Sequence, residues 1–109
     1  MTKFSEKKLI INSDDLGISK ELNDAVLESC QRGILTQSSL MANGYEFEDA
    51  INRVIPQCPK LAVGVHLNLF EGKSLTNCPL LTDSNGNFSK SFIQTMLLSF
   101  NKDFISQVE

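Results

Sequence analysis

Short apolar runs alternate along the chain with longer stripes of apolar residues at helical spacing. The run KLIIN at residues 8–12 predicts a buried strand, and the polar stretch SDDLG at 13–17 predicts a tight loop after it. A helix is expected next, with Ser19 as its N-cap and Gly33 at its C′ position. Five apolar or small side chains share one face of that helix: Leu22, Ala25, Val26, Ser29 and Cys30.

A second strand and a second helix follow in the same order. Residues 34–41 predict the strand, and Asn43-Gly44 predicts a turn after it. The helix is expected to end at Pro56 and Pro59, because proline cannot donate a backbone hydrogen bond. Its apolar stripe consists of Phe47, Ala50, Ile51, Val54 and Ile55.

Residues 61–69, LAVGVHLNL, predict a third strand with two different faces. The odd positions, from Leu61 to Leu69, are all large and apolar, and the even positions are small or polar. Because successive strand residues point to opposite sides, the odd positions are expected to pack on helices and the even positions to face a confined space. Replacing Gly64 by valine is therefore expected to disturb a crowded face.

Strands that alternate with helices of this length predict the α/β class. The expected arrangement is a parallel β-α-β-α-β sheet with right-handed crossovers. A long loop follows Phe70, a further helix is predicted at residues 91–100, and another is expected to begin near Asp103. With 109 residues, the chain has the size of one small domain.

Composition narrows the choice of function. Ten basic and thirteen acidic residues give a net charge of −3, and the basic residues are scattered, which argues against binding to nucleic acid. No apolar stretch approaches the ~20 residues that cross a bilayer, so no membrane association is expected. No signal peptide is recognisable, and the three cysteines, Cys30, Cys58 and Cys78, are odd in number. These features predict a cytoplasmic protein with reduced thiols.

Polar side chains cluster at the predicted carboxyl ends of the strands, where parallel sheets build their sites. The three strands contribute, in order, Asn12, Asp14 and Asp15; Ser38, Ser39 and Asn43; and His66, Asn68 and Glu71. Two adjacent carboxylates beside the chain's one histidine suggest a divalent metal, with one aspartate as a ligand and the other as a proton acceptor. Asn43 and Asn68 are candidates for substrate contacts. Structural explanations stay open: a capping loop, a hydrogen-bonded histidine and turn asparagines.

Five segments in a fixed order resemble a known family. They are LIINSDDLGIS (9–19), RGILTQSSLMANG (32–44), FEDA (47–50), LAVGVHLNLFEGKSL (61–75) and PLLTDSNGNF (79–88). Together they resemble the YdjC/ChbG carbohydrate deacetylases over nearly the whole chain. The resemblance implies a (β/α) barrel-like fold, of which residues 1–109 would form a single partial domain, the N-terminal part.

The resemblance also implies a reaction and its residues. Family members remove N-acetyl groups from amino sugars and chitooligosaccharides, such as diacetylchitobiose, with a divalent metal, here Mg²⁺ or Zn²⁺. Asp14 would be the general base, and Asp15 and His66 would be metal ligands. A homodimer is a further expectation from the family.

Two departures from the family bear on activity. Ser13 stands where the family commonly has alanine, and residues 67–109 contain no histidine to serve as the third metal ligand. We therefore expect a truncated deacetylase with an incomplete site, an unpaired sheet edge and an uncovered apolar face. The alternative is a non-catalytic binding or assembly module with the same fold. A phosphate-binding domain is disfavoured, because the first loop is acidic and lacks a glycine-rich cradle.

Overall fold

The computed structural model describes residues 7–108 and contains a three-stranded parallel sheet in the order β1-β2-β3. The strands are β1 (Asn12–Leu16), β2 (Gln37–Leu40) and β3 (Ala62–Val65). The helices are α1 (Lys20–Arg32), α2 (Phe47–Asp49), a π-helical turn (Ala50–Val54), α3 (Ile55–Gln57), α4 (Phe92–Leu98) and α5 (Lys102–Val108). The parallel β-α-β-α-β prediction is confirmed. Residues 1–6 and Glu109 of the predicted domain lie outside the described residues.

β1 begins later than the apolar pattern predicted. Residues 8–11 precede it, Leu9 and Ile10 are 75% and 71% exposed, and the strand runs through the acidic stretch that was expected to be a loop. Leu16 at its end is fully buried. The prediction failed because an apolar run shows that a segment can be buried, but the burial depends on what covers it, and here α1 and the π-helical turn cover Leu16.

α1 has the predicted N-cap, but its buried face is rotated. The Ser19 hydroxyl accepts a hydrogen bond from the Leu22 N–H, as expected. The residues buried in α1 are Asn23 and Val26, whereas Ala25 from the predicted stripe is exposed. Val26 of the predicted stripe is therefore confirmed as buried. The stripe missed Asn23 because it counted apolar side chains only, and the Asn23 amide bonds to the Glu46 carbonyl and to Asp49.

The main core lies between the sheet and the helices that cover it. Its buried members are Leu16, Val26, Ala50 and Val54, with Leu27, Leu35, Leu40, Ile55 and Leu61 packed against them. A second cluster under the long loop consists of Cys78, Leu81 and Phe104, with Leu69, Leu80, Phe88 and Leu98 around it. The main core thus packs the end of β1 against α1 and the π-helical turn.

The second helical segment continues past the predicted stop. Pro56 lies inside it, and the segment ends at Gln57. The Ile55 N–H donates to the Ala50 carbonyl, which is a five-residue step that widens the helix just before the proline. A proline ring crowds the carbonyl four residues earlier, and a widened turn relieves that contact without ending the helix.

β3 is shorter and more open than predicted. Pairing ends at Val65, and the side chains of Val65 and Leu67 are 75% and 89% exposed. An added Cβ at Gly64 meets no atom of the described residues within 4 Å. The expected crowded face is therefore wrong, since alternation along a strand does not show what covers it. The expected uncovered apolar face is present at these residues.

Cys30 and Cys58 form a disulfide that joins the end of α1 to the residue after α3, with the two Cα atoms 6.1 Å apart. The prediction of three reduced thiols is wrong for this pair, because spacing along the chain could not show that the two helices meet there. Cys78 is a buried free thiol. Within residues 7–108, no helix has the length and apolar character needed to cross a bilayer.

Candidate functional site

A bulge in β1 presents the two adjacent aspartates. The register of β1 against β2 pairs Ser13 with Ser38 and Leu16 with Leu40, so Asp14 and Asp15 fall in the irregular interval. Asp15 has a φ of 63°, a left-handed backbone conformation that aspartate tolerates better than most residues. The bulge ends at the buried Leu16, which anchors it in the core. β-bulges often re-aim side chains beside active sites, and here the bulge exposes both carboxylates.

His66 follows β3 directly and meets Asp15 across the sheet. Its backbone N–H donates to the Leu40 carbonyl at 2.9 Å, which continues the β2–β3 ladder and fixes its position. The ring Nε2 lies 3.4 Å from Asp15 Oδ1, and the ring Nδ1 lies 3.3 Å from the Asp15 backbone nitrogen. The structure therefore brings together the two residues proposed as metal ligands.

Asp14 is held by two hydrogen bonds to the same oxygen. The Ser39 hydroxyl and the Asn12 amide each donate to Asp14 Oδ1 at 2.7 Å. These bonds, first that from Ser39 and then that from Asn12, hold the pKa of Asp14 below its ordinary value of 3.8, and the nearby His66 acts in the same direction. No hydrogen bond from residues 7–108 engages Oδ2. Asp14 is thus an ionised carboxylate with one oxygen fixed and the other available to accept a proton.

The donor set fits a divalent ion in type and spacing. A carboxylate oxygen and an imidazole nitrogen are usual Zn²⁺ ligands, and two ligands at bonds of about 2.1 Å lie about 3.4 Å apart in tetrahedral geometry. The Asp15 Oδ1 to His66 Nε2 separation is 3.4 Å. No group of three His, Cys, Asp or Glu side chains suited to a metal occurs among residues 7–108. If a metal binds here, Asp15 and His66 would be its two ligands from the described residues.

The side chains of Asn43 and Asn68 form hydrogen bonds within the loop that follows the site. The Asn43 amide donates to the Glu71 and Lys73 carbonyls, at 2.8 and 3.2 Å. The Asn68 amide donates to Asn43 Oδ1 and to the Glu71 carbonyl, at 3.1 and 2.6 Å. These contacts assign both side chains a loop-holding role. Substrate contacts by either residue stay a prediction.

Hydrogen bonds of the buried Asn23 side chain hold the loop after the bulge. The pattern of apolar residues did not predict these bonds. Asn23 is fully buried, its Oδ1 accepts from the Gly17 N–H at 2.8 Å, and its amide donates to the Glu46 carbonyl at 3.0 Å and Asp49 Oδ2 at 2.8 Å. Asp49 in turn binds Arg53 through both carboxylate oxygens, at 2.6 and 2.7 Å. These bonds, first those from Arg53 and then that from Asn23, hold the pKa of Asp49 well below its usual range. A buried asparagine in a mostly polar helix gives no sequence signal.

A cavity of about 230 Å³ opens beside His66. Its lining is mainly apolar and includes Leu67, Leu75 and Phe88. The polar side chains that line it are those of Asn43, His66, Asn68, Ser74 and Thr76. Apolar walls with a few convergent polar groups are usual for small-molecule sites. The cavity places ligand-accessible space next to His66.

Comparison with known proteins gives concordant matches. The sequence profile described as "YdjC-like protein" matches residues 8–109. Carbohydrate deacetylase 2 of Listeria innocua is 35% identical over 100 residues, which cover 92% of this chain and 40% of that protein. The chitooligosaccharide deacetylase of Citrobacter koseri is 44% identical over 80 residues, which cover 71% of this chain and 30% of that protein.

A solved structure shares the fold. The crystal structure of a proposed cellobiose-phosphate cleavage protein from Enterococcus faecalis superposes with a TM-score of 0.74 at 30% identity. The match covers 96% of this chain and 38% of that one. The matched part of the chain spans 30–40% of the length of these relatives.

Proposed function

The chain belongs to the YdjC-like protein family, and on this premise we propose that it forms part of a metal-dependent carbohydrate deacetylase. The substrate class is an N-acetylated amino sugar or chitooligosaccharide, as the names of its relatives suggest. The products are acetate and a free amine. The observation that carries the proposal is the convergence of Asp14, Asp15 and His66 at one end of the sheet.

Each of these side chains suits a separate task. Asp15 and His66 would hold a divalent ion, since their donor atoms lie 3.4 Å apart. The imidazole nitrogen favours Zn²⁺ over Mg²⁺, which prefers oxygen ligands. When bound, such an ion supplies Lewis acidity toward an amide carbonyl.

Asp14 provides the proton acceptor. Ser39 and Asn12 both bind Oδ1, so the carboxylate is oriented and Oδ2 is left to take a proton from the attacking water. The lowered pKa keeps Asp14 ionised at neutral pH, the state in which a general base works. The protonated carboxyl group can then return that proton to the leaving nitrogen.

The remaining metal ligand must come from outside the described residues. Residues 7–108 hold no third ligand in reach. Further residues of the protein, or a second copy in a homodimer, would supply it. The incomplete ligand set also favours a second candidate function, a binding or assembly module without catalysis.

Acetate release separates these two functions. Diacetylchitobiose is incubated with the purified chain, with and without Zn²⁺ or Mg²⁺, and acetate is measured enzymatically. Metal-dependent release that is lost in Asp14→Ala supports a deacetylase. A chain that binds metal but releases no acetate, even when mixed with the portion of a family relative that lies outside the match, supports the non-catalytic module.

A further inference from the structure

Ser39 lies on β2, between the two strands that carry the candidate site. Its hydroxyl oxygen is 2.7 Å from Asp14 Oδ1 on one side and 3.1 Å from His66 Nδ1 on the other. The preceding residue, Ser38, is fully buried, and its hydroxyl donates to the Ser13 carbonyl at 2.8 Å. Neighbouring serines therefore have different surroundings, and only Ser39 touches the candidate site.

We propose that Ser39 is a positioning residue that links His66 to Asp14 and sets the tautomer in which His66 can bind a metal. The inference rests on the proposed function. The sequence predicts Ser39 near the end of the second strand and assigns it no role.

The hydrogen atoms available on Ser39 and His66 determine which group donates in each hydrogen bond. Asp14 Oδ1 accepts from both the Asn12 amide and the Ser39 hydroxyl, so the one hydroxyl hydrogen of Ser39 points to Asp14. The Ser39 oxygen then offers only lone pairs to His66, which must donate from Nδ1. In a neutral imidazole this leaves Nε2 without hydrogen, and Nε2 is the atom that faces Asp15 Oδ1 at 3.4 Å.

A second contact at His66 Nδ1 competes with that of Ser39, which is why the Ser39 hydroxyl is needed to set the tautomer. The Asp15 backbone N–H also points at His66 Nδ1, at 3.3 Å, and this bond requires Nδ1 to be an acceptor. It therefore favours the opposite tautomer, with the hydrogen on Nε2. Ser39 at 3.1 Å opposes it, and metal binding at Nε2 is compatible only with the Ser39 arrangement.

Loss of the Ser39 hydroxyl affects Asp14 and His66 unequally. Asn12 still holds Asp14 Oδ1 at 2.7 Å, so the carboxylate keeps a partner. His66 keeps only the Asp15 N–H, which stabilises the form that cannot ligate through Nε2. The effect of Ser39→Ala should therefore fall on metal affinity.

Nitrogen NMR of the chain tests this, because His66 is its one histidine and gives two assignable ring nitrogen signals. Zn²⁺ is titrated into ¹⁵N-labelled chain, and long-range ¹H–¹⁵N spectra report protonation and metal binding at each ring nitrogen. The unaltered chain should show Zn²⁺ at Nε2 and hydrogen at Nδ1. Ser39→Ala should weaken Zn²⁺ binding by about tenfold or more, the usual cost of losing such a partner.

Two variants make the result specific. Ser39→Thr keeps the hydroxyl and should restore affinity to within about threefold of the unaltered chain, a small effect on the scale of losing the partner. Ser38→Ala removes a neighbouring hydroxyl that does not touch His66 and should leave the His66 spectrum unchanged. Equal affinity in Ser39→Ala and the unaltered chain would overturn the role of Ser39 alone. No Zn²⁺-dependent change at His66 in the unaltered chain would overturn the proposed function, and this inference with it.

Discussion

The imidazole of His66 faces Asp15 through both ring nitrogens: Nε2 lies 3.4 Å from the carboxylate and Nδ1 lies 3.3 Å from the backbone nitrogen of the same residue. Such contact with both the side chain and the main chain of one residue depends on the bulge in β1. Asp15 adopts its φ of 63° there, and a regular strand would turn its side chain to another face.

Two substitutions separate the effect of the Asp15 backbone conformation from the effect of its charge. Asp15→Asn tolerates the left-handed conformation, so stability should change little while Zn²⁺ affinity falls. Asp15→Val should lose Zn²⁺ affinity and also about 1–3 kcal/mol of stability, because a β-branched side chain is strained there. Thermal unfolding and calorimetric Zn²⁺ titration measure the two effects. Equal stability of the two variants would show that the bulge does not require a left-handed residue.

Asn23 should be the most costly single polar side chain to remove from α1. Asn23→Ala leaves buried partners unsatisfied near Gly17 and Glu46, and should cost about 2–3 kcal/mol. Asn52 is the matched control, since its exposed amide donates to Glu48 at 3.0 Å, and Asn52→Ala should be nearly neutral. Urea unfolding of both variants measures the difference. Similar stabilities would show that the buried network contributes little.

Two glycines give a second matched pair. An added Cβ at Gly44 would collide with the backbone of Gly17, directly after the bulge, whereas one at Gly64 meets no described atom within 4 Å. Gly44→Ala should therefore destabilise the chain and disturb the His66 signals, and Gly64→Ala should do neither. Thermal unfolding and NMR spectra measure both. A destabilised Gly64→Ala chain would restore the crowded face that the alternating pattern predicted.

Acid should weaken the link between α1 and α2. The pKa of Asp49 is held below its ordinary value of 3.8 by Arg53 and Asn23, so the carboxylate stabilises the fold above about pH 4, and this stability is lost as the pH falls through the lowered folded-state pKa. The unaltered chain should therefore exceed Asp49→Asn in stability at about pH 6, and the difference should shrink toward pH ~2. Urea unfolding across this range measures it. A constant difference would mean that Asp49 ionisation does not stabilise the fold.

Local signals in the sequence predicted much of the fold. Ser19 caps α1 as the pattern predicted, and the helix predicted at residues 91–100 is present as α4, which Ser91 caps in a capping box with Gln94. Parallel pairing followed from the order of strands and helices. Strand limits were less predictable, because Leu9 and Leu16 carry the same apolar signal while only Leu16 has elements packed over it.

The candidate site was predictable only in part. The rule that parallel strands gather their carboxyl ends at one edge placed Asp14, Asp15 and His66 together. The left-handed backbone of Asp15 and the link through Ser39 depend on register, which the sequence does not display. The Cys30–Cys58 disulfide was not predicted either, because it depends on how two helices pack, and the sequence does not display this.

Calorimetric titration of Zn²⁺ into the purified chain tests most directly whether Asp15 and His66 share one metal ion. We expect one ion per chain, a matching rise in melting temperature that follows mass action, and loss of both in Asp15→Ala and in His66→Ala. Glu28→Ala, which removes an exposed carboxylate of α1, should bind like the unaltered chain. Unchanged Zn²⁺ binding in both site variants, or no binding by the unaltered chain, would contradict the metal site and the deacetylase proposal that depends on it.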